Sequence, residues 1–296
     1  MQDVRHSRTT RIVAALTLAS QMLIVLTGGL VRLTESGLGC TDWPHCTPDA
    51  FFPVPEHGIH GYIEYANRVW GAVVILISLW MFALTVKHRK REGGRELVIL
   101  STFILVLTAA QAIIGAIVVW LHLRPDTVGI HFLLSVILVA IAAVLAWRVF
   151  RGPCGVKLGT KPQTILTHVT SVVFAGVVLM GTLTTGAGPH AGDGGAVRNG
   201  LDPVIMSHLH AWPSYGLLAF ALVLLLFAVR SGPPAHLWSV VGLIAACLLQ
   251  MIVGIVQSNT GLPISLVAVH MLGSMLATAA MAFTVVSLRD HKATAA

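Results

Sequence analysis

Residues 111–135, QAIIGAIVVWLHLRPDTVGIHFLLS, and residues 250–274, QMIVGIVQSNTGLPISLVAVHMLGS, carry one pattern twice. Gln111, Ile113, Gly115, His131 and Ser135 recur as Gln250, Ile252, Gly254, His270 and Ser274 at a constant offset and without a gap. Pro125 and Pro263 fall one place out of register between them. Each stretch is two apolar runs joined by a short polar turn. An internal repeat governs the reading of everything else, because it says how many elements each half must hold.

Outward from the repeat, apolar runs long enough to cross roughly 30 Å of hydrocarbon, about 20 residues each, lie at 12–31, 63–86, 97–121, 128–147, 164–185, 204–229, 236–257 and 264–288. The chain of 296 residues is 55% hydrophobic and 10% charged, against about 25% charged in soluble domains. The expected class is an all-α integral membrane protein with eight transmembrane helices. A weaker match joins the ends of the first and fifth spans, where Leu33-Thr34 through Gly37 and Gly39 answers Leu183-Thr184 through Gly186 and Gly188 with one gap. Four spans per half is an even number, so both halves keep one orientation, as in parallel repeats. The expected architecture is two parallel-repeat four-helix bundles: residues 1–150, a linker at 151–163, and residues 164–296.

Lys and Arg gather in cytoplasmic loops, which tests the topology. All but four of the 19 basic residues fall on one side: Arg5, Arg8 and Arg11; Lys87, Arg89, Lys90, Arg91 and Arg95; Arg148, Arg151, Lys157 and Lys161; Arg230; and Arg289 and Lys292. Arg32, Arg68, Arg124 and Arg198 sit at the other ends of the spans among acidic residues. Both termini are therefore expected in the cytoplasm and the protein in the plasma membrane of a bacterium. The net charge of +7 is spread over these loops, which excludes a single basic face for nucleic acid. The first span lacks an Ala-x-Ala-like cleavage site and reads as a retained helix.

Cys40 and Cys46 lie together in the first outer loop, GLGCTDWPHC, where an oxidising compartment permits a disulfide. Cys154 and Cys247 read as ordinary small residues.

Ionisable residues inside a membrane cost enough to mark function. His131, His210 and His270 open the fourth, sixth and eighth spans at one depth, and Asn67 stands at the corresponding place in the second. Facing histidines in a four-helix bundle are a standard way to hold haem. His210 with His270 makes a complete pair in the C-terminal half, and His131 with the region of Asn67 an incomplete one in the N-terminal half. A single intramembrane histidine more often bridges helices; recurrence at one repeat position argues for a ligand. His60 lies about two helical turns before Asn67 and could share its face. Glu64, three residues before Asn67, reads either as an interfacial partner of Arg68 or Arg124 or as a carboxylate that handles protons or orients substrate. Arg32, Arg124 and Arg198 could meet haem propionates or anchor helix ends. His6 and His291, near the termini, read as solvated, and so does His57 in the outer loop.

At this point the chain resembles the haem A synthase family over nearly its whole length. The resemblance rests on the duplicated eight spans, on GGLVRLTESGLGCTDWPHC with its cysteine pair, on IEYANR, and on the histidines opening spans four, six and eight. It implies oxidation of the C8 methyl group of haem O to a formyl group through a hydroxymethyl intermediate, with haem b as cofactor, for cytochrome c oxidase biogenesis. It assigns His210 and His270 to haem b, His131 to the substrate haem, Glu64 to the reaction, and Cys40 and Cys46 to a redox-active or structural pair. The implied partners are haem O, a haem O synthase, cytochrome c oxidase assembly factors and the lipid bilayer.

Two departures stand out. Many members have a second cysteine pair where this chain has GAGPHAGDGGAVRNGLDP, and many have His where Asn67 stands. An Asn amide is a poor iron ligand, so His60 replaces the missing ligand, a water held by Asn67 does, or the iron stays five-coordinate on His131. The last two together are the expectation here. The rivals are a di-haem, cytochrome b-like electron-transfer protein, which should carry two full histidine pairs, and a parallel-repeat transporter.

Overall fold

The computed structural model describes residues 7–290. Arg5, His6, His291 and Lys292 of the sequence reading lie outside them.

Among the described residues eight α-helices follow one another: α1 (Arg8–Leu33), α2 (Gly58–Lys87), α3 (Gly94–Trp120), α4 (Pro125–Arg151), α5 (Lys161–Ala187), α6 (Pro203–Ser231), α7 (Pro234–Asn259) and α8 (Ile264–Val286). All eight are long and apolar enough to cross a membrane, so the all-α, multi-pass class expected from the sequence holds. The helices outrun most of their apolar runs because their starts are set by caps and prolines. Ser7 accepts from the Thr10 N–H, Thr160 from that of Gln163, and Asp202 from those of Val204 and Ile205, while proline opens α4, α6 and α7. At α2 the start moves to Gly58, after a short turn over Pro55–His57, which draws His60 into the helix.

Helices α1 to α4 pack each on the next and α4 returns to α1; α5 to α8 do the same, with a thinner return from α8 to α5. The first ring is filled by Val13, Met81, Ile104, Leu138 and Leu145, the second by Phe174, Leu217, Leu243, Ala277 and Met281. A third cluster, Met22, Val25, Val139, Ala143, Met275 and Ala279, lies where α1 and α4 meet α8. That seam is built largely of small side chains and methionines, which lets helices approach closely.

The repeat extends to backbone conformation. His122 and Leu123 after α3, and Gly261 and Leu262 after α7, all take positive φ of 52°, 60°, 78° and 58°. The N–H of Leu123 donates to the Val118 carbonyl at 2.9 Å, and that of Leu262 to the Gln257 carbonyl at 2.8 Å. A left-handed leucine costs on the order of 1 kcal/mol, and both halves bear it at the same place.

The two ends of the bundle differ. At one end the short strands Val156–Lys157 and Arg289–Asp290 pair antiparallel, and Arg11 of α1 stacks its guanidinium on Phe150 of α4 at 4.9 Å. The start of α1, the linker and the end of α8 thus share this linker end. At the other, the loop end, the segments are interlocked. Arg32 donates to the carbonyls of His190 at 2.7 Å and Thr185 at 2.9 Å, the Gly37 N–H to that of Gly192 at 2.8 Å, and His190 Nε2 to that of Leu262 at 3.0 Å. A disulfide joins Cys40 to Cys46, as the paired outer-loop cysteines suggested.

Candidate functional site

In the C-terminal half, His210 on α6 and His270 on α8 face each other with ring centroids 6.2 Å apart and planes at 83°. His210 Nδ1 lies 2.9 Å from the backbone carbonyl of Val177 on α5. A carbonyl only accepts, so Nδ1 carries the proton and Nε2 keeps its lone pair free. His270 is set from the other side, where Gln250 Nε2 donates to its backbone carbonyl at 2.9 Å. Two glycines make room for the rings: a Cβ on Gly181 would stand 2.8 Å from His210 Cε1, and one on Gly254 3.3 Å from His270 Cε1.

The donor set suits a metal held between two imidazoles. Two metal–nitrogen bonds of about 2 Å and roughly 1 Å from each nitrogen to its ring centre give a separation near 6 Å, which matches the observed 6.2 Å. Among the described residues no three His, Cys, Asp or Glu side chains come together. A centre with only two protein ligands fits a macrocycle that fills the remaining positions itself. His270 Nδ1 and Gln250 Oε1 are both buried without a protein partner.

The N-terminal half repeats the frame and changes the contents. Gln111 Nε2 donates to the His131 carbonyl at 2.9 Å and to Ser135 Oγ at 2.5 Å, and His131 Nδ1 and Gln111 Oε1 are the same two unpartnered atoms as in the other half. Asn67 binds α1 through Thr27, whose hydroxyl lies 2.7 Å from Asn67 Oδ1. The register that aligns Leu33-Thr34 with Leu183-Thr184 aligns Thr27 with Val177. Asn67 and His210 are therefore tied to the same repeat position on α1 and α5.

Glu64 and Arg68 have no such counterpart. Glu64 is 5% exposed; its Oε1 takes the Arg68 guanidinium at 2.6 Å and its Oε2 the Cys40 N–H at 2.7 Å. Arg68 goes on to the carbonyls of Asp42 at 2.7 Å and His45 at 3.0 Å. The pair clamps the disulfide loop onto the first turns of α2. Of the two partners weighed for Glu64, the structure provides Arg68. Arg124 instead pairs with Asp126 at 2.7 Å in the open, and that carboxylate pushes its pKa further up.

The other candidates separate. His60 is exposed and shares a 2.9 Å hydrogen bond with Ser36 Oγ. Arg32 is engaged with the opposite half as described, and Arg198 donates to the Pro189 carbonyl. Thr27, Val177, Gln111, Gln250 and Gly181 were not singled out from the sequence as parts of a site. Gln111 and Gln250 were visible as repeat matches, and Thr27 with Val177 could have been found by extending the Leu-Thr register by two helical turns. His57, read as solvated, places Nδ1 3.7 Å from Cys46 Sγ.

The sequence profile of the cytochrome oxidase assembly protein family matches residues 11–282. Similar curated proteins include the haem A synthase of Halalkalibacterium halodurans, 27% identical over 191 residues, which is 60% of this chain and 61% of that protein. That of Exiguobacterium is 32% identical over 136 residues, 44% of this chain and 42% of its own length. That of Oceanobacillus iheyensis is 26% identical over 133 residues, 45% and 42%. The chain thus spans about half the length of the curated relatives it matches.

Proposed function

From the premise that this chain belongs to the cytochrome oxidase assembly protein family, we propose that it is a membrane haem A synthase. It oxidises the C8 methyl group of haem O to a formyl group through a hydroxymethyl intermediate. The observation that carries the reading is the His210–His270 pair at 6.2 Å, set beside its repeat counterpart in which the second imidazole is replaced by Asn67.

In this reading residues 1–150 form the substrate unit and residues 164–296 the cofactor unit. His210 and His270 hold haem b, which supplies a one-electron redox centre when bound. His131 holds haem O, with Gln111 fixing the backbone of its helix turn. Asn67 leaves the opposite side without a protein ligand. Glu64 and Arg68 orient the disulfide loop at the mouth of this site, so Glu64 acts by positioning. Arg32, Arg124 and Arg198 lie on the propionate side. The clustering of basic residues at the linker end supports placing that end, and both termini, in the cytoplasm of a bacterial cell. The incomplete second pair counts against a di-haem electron carrier, which would need both sites permanently ligated.

The test is to express the chain with a haem O synthase, extract the haems and identify them by mass. Haem A that vanishes in His131→Ala and falls in Glu64→Ala is the expected result. Haem b and haem O alone in the unsubstituted protein would sink the proposal.

A further inference from the structure

Position 27 and its repeat mate 177 present opposite hydrogen-bonding polarity to the residue across from them. At 177 it is a backbone carbonyl, an acceptor, and it engages the N–H of His210. The lone pair of that imidazole is then left for the interior. At 27 it is a side-chain hydroxyl, 2.7 Å from Asn67 Oδ1 and 3.2 Å from the Ile24 carbonyl. The amide oxygen is the atom of Asn67 that meets the hydroxyl, and it can only accept. Thr27 therefore donates to the amide oxygen, and the amide nitrogen, 3.9 Å from where a Cβ on Gly28 would stand, keeps its two hydrogens for another partner.

Resting on the proposed assignment of a haem to the N-terminal half, we infer that Thr27 is a positioning residue that turns Asn67 into a hydrogen-bond donor opposite His131. The oxygen that could approach a metal is taken up by α1. What faces the site is an N–H pair, which cannot ligate iron but favours a small ligand with an acceptor atom. His210 excludes such a ligand from the C-terminal half by occupying the equivalent place with a lone pair. One polarity reversal on α1 against α5 thus separates a site open to an exogenous molecule from a closed one.

The experiment uses the full chain purified after co-expression with a haem O synthase, with cyanide as the probe of the ferric protein. Electron paramagnetic resonance and absorption titration report the spin state and cyanide affinity of each haem. The unsubstituted protein is expected to show one low-spin haem indifferent to cyanide and one high-spin haem that binds it. Asn67→Leu should weaken cyanide at the second haem about tenfold, the loss of one hydrogen bond to a charged ligand. Thr27→Val should weaken it by a similar factor, because the freed amide can turn, and Thr27→Ser should restore it. The low-spin signal from the other half checks folding in every variant.

Two haems with cyanide affinity unchanged in Thr27→Val, or a second haem that is low-spin before cyanide is added, overturns the inference alone. A single haem, unaltered in His131→Ala, overturns the underlying assignment and the inference with it.

Discussion

The N-terminal and C-terminal halves place a glutamine, a glycine and a histidine in the same frame. Gln111 and Gln250 donate to the carbonyls of His131 and His270 at one distance, 2.9 Å, and the turns before those histidines share their left-handed residues. Across the bundle the halves part: His210 against a carbonyl on α5, Asn67 against a hydroxyl on α1. Among the described residues the N-terminal half alone adds a disulfide loop, held by a part-buried ion pair. Duplication preserved the scaffold that aims one histidine into each bundle. Divergence acted on the residue opposite and on the loop above it.

The largest effect should come from removing the symmetric pair in the C-terminal half. His210→Ala or His270→Ala is expected to abolish the low-spin haem signal of the purified protein while the other haem stays, as pyridine haemochrome content and absorption spectra would show. Restoring symmetry in the N-terminal half comes next. Asn67→His should convert the second haem to a low-spin, two-imidazole form, with Thr27 accepting from Nδ1 and donating to Ile24. A variant that stays high-spin would break the comparison.

The loop clamp exists in one half only. Glu64→Ala leaves the part-buried Arg68 guanidinium with only backbone carbonyls as partners and should lower stability by about 2 kcal/mol, read as a fall in midpoint on detergent-solubilised thermal unfolding; an unchanged midpoint would mean that the pair does not hold the loop. Finer still is the glycine beneath each histidine. Gly254→Ala meets the His270 ring at 3.3 Å, whereas Gly115→Ala meets that of His131 at 3.8 Å, an ordinary contact. The first should shift the spectrum of the low-spin haem, and the second should leave its partner haem unmoved. Arg124→Ala, which breaks a solvent-exposed pair, should leave the unfolding midpoint unchanged within error.

Much of this was legible in the chain. The spans follow from apolar length, and the repeat from Gln111-x-Ile-x-Gly and its echo at Gln250. The ranks of His131, His210, His270 and Asn67 follow from their common depth. The disulfide follows from two cysteines in one short outer loop. Arg68 was one of the two partners weighed for Glu64, but its second partner, the Cys40 N–H, was not readable, because it belongs to a loop whose path depends on that disulfide and on Arg68 reaching its carbonyls. Arg32 crossing to the other half, and His60 turning to Ser36, were equally hidden, since both contacts join segments that only the packed seam brings together.

Composition and periodicity by themselves determined that this is a membrane bundle made twice, because hydrocarbon admits few ways to satisfy a backbone and a repeat constrains those further. They also marked His131, His210, His270 and Asn67 as candidates for a site. The tertiary structure decided what each of them presents to it. That choice hangs on whether the neighbour on α1 or α5 offers a hydroxyl or a backbone carbonyl, and every residue type but proline carries the same carbonyl and N–H. The polarity that leaves a lone pair inward at His210 and an N–H pair inward at Asn67 exists only where two helices pack.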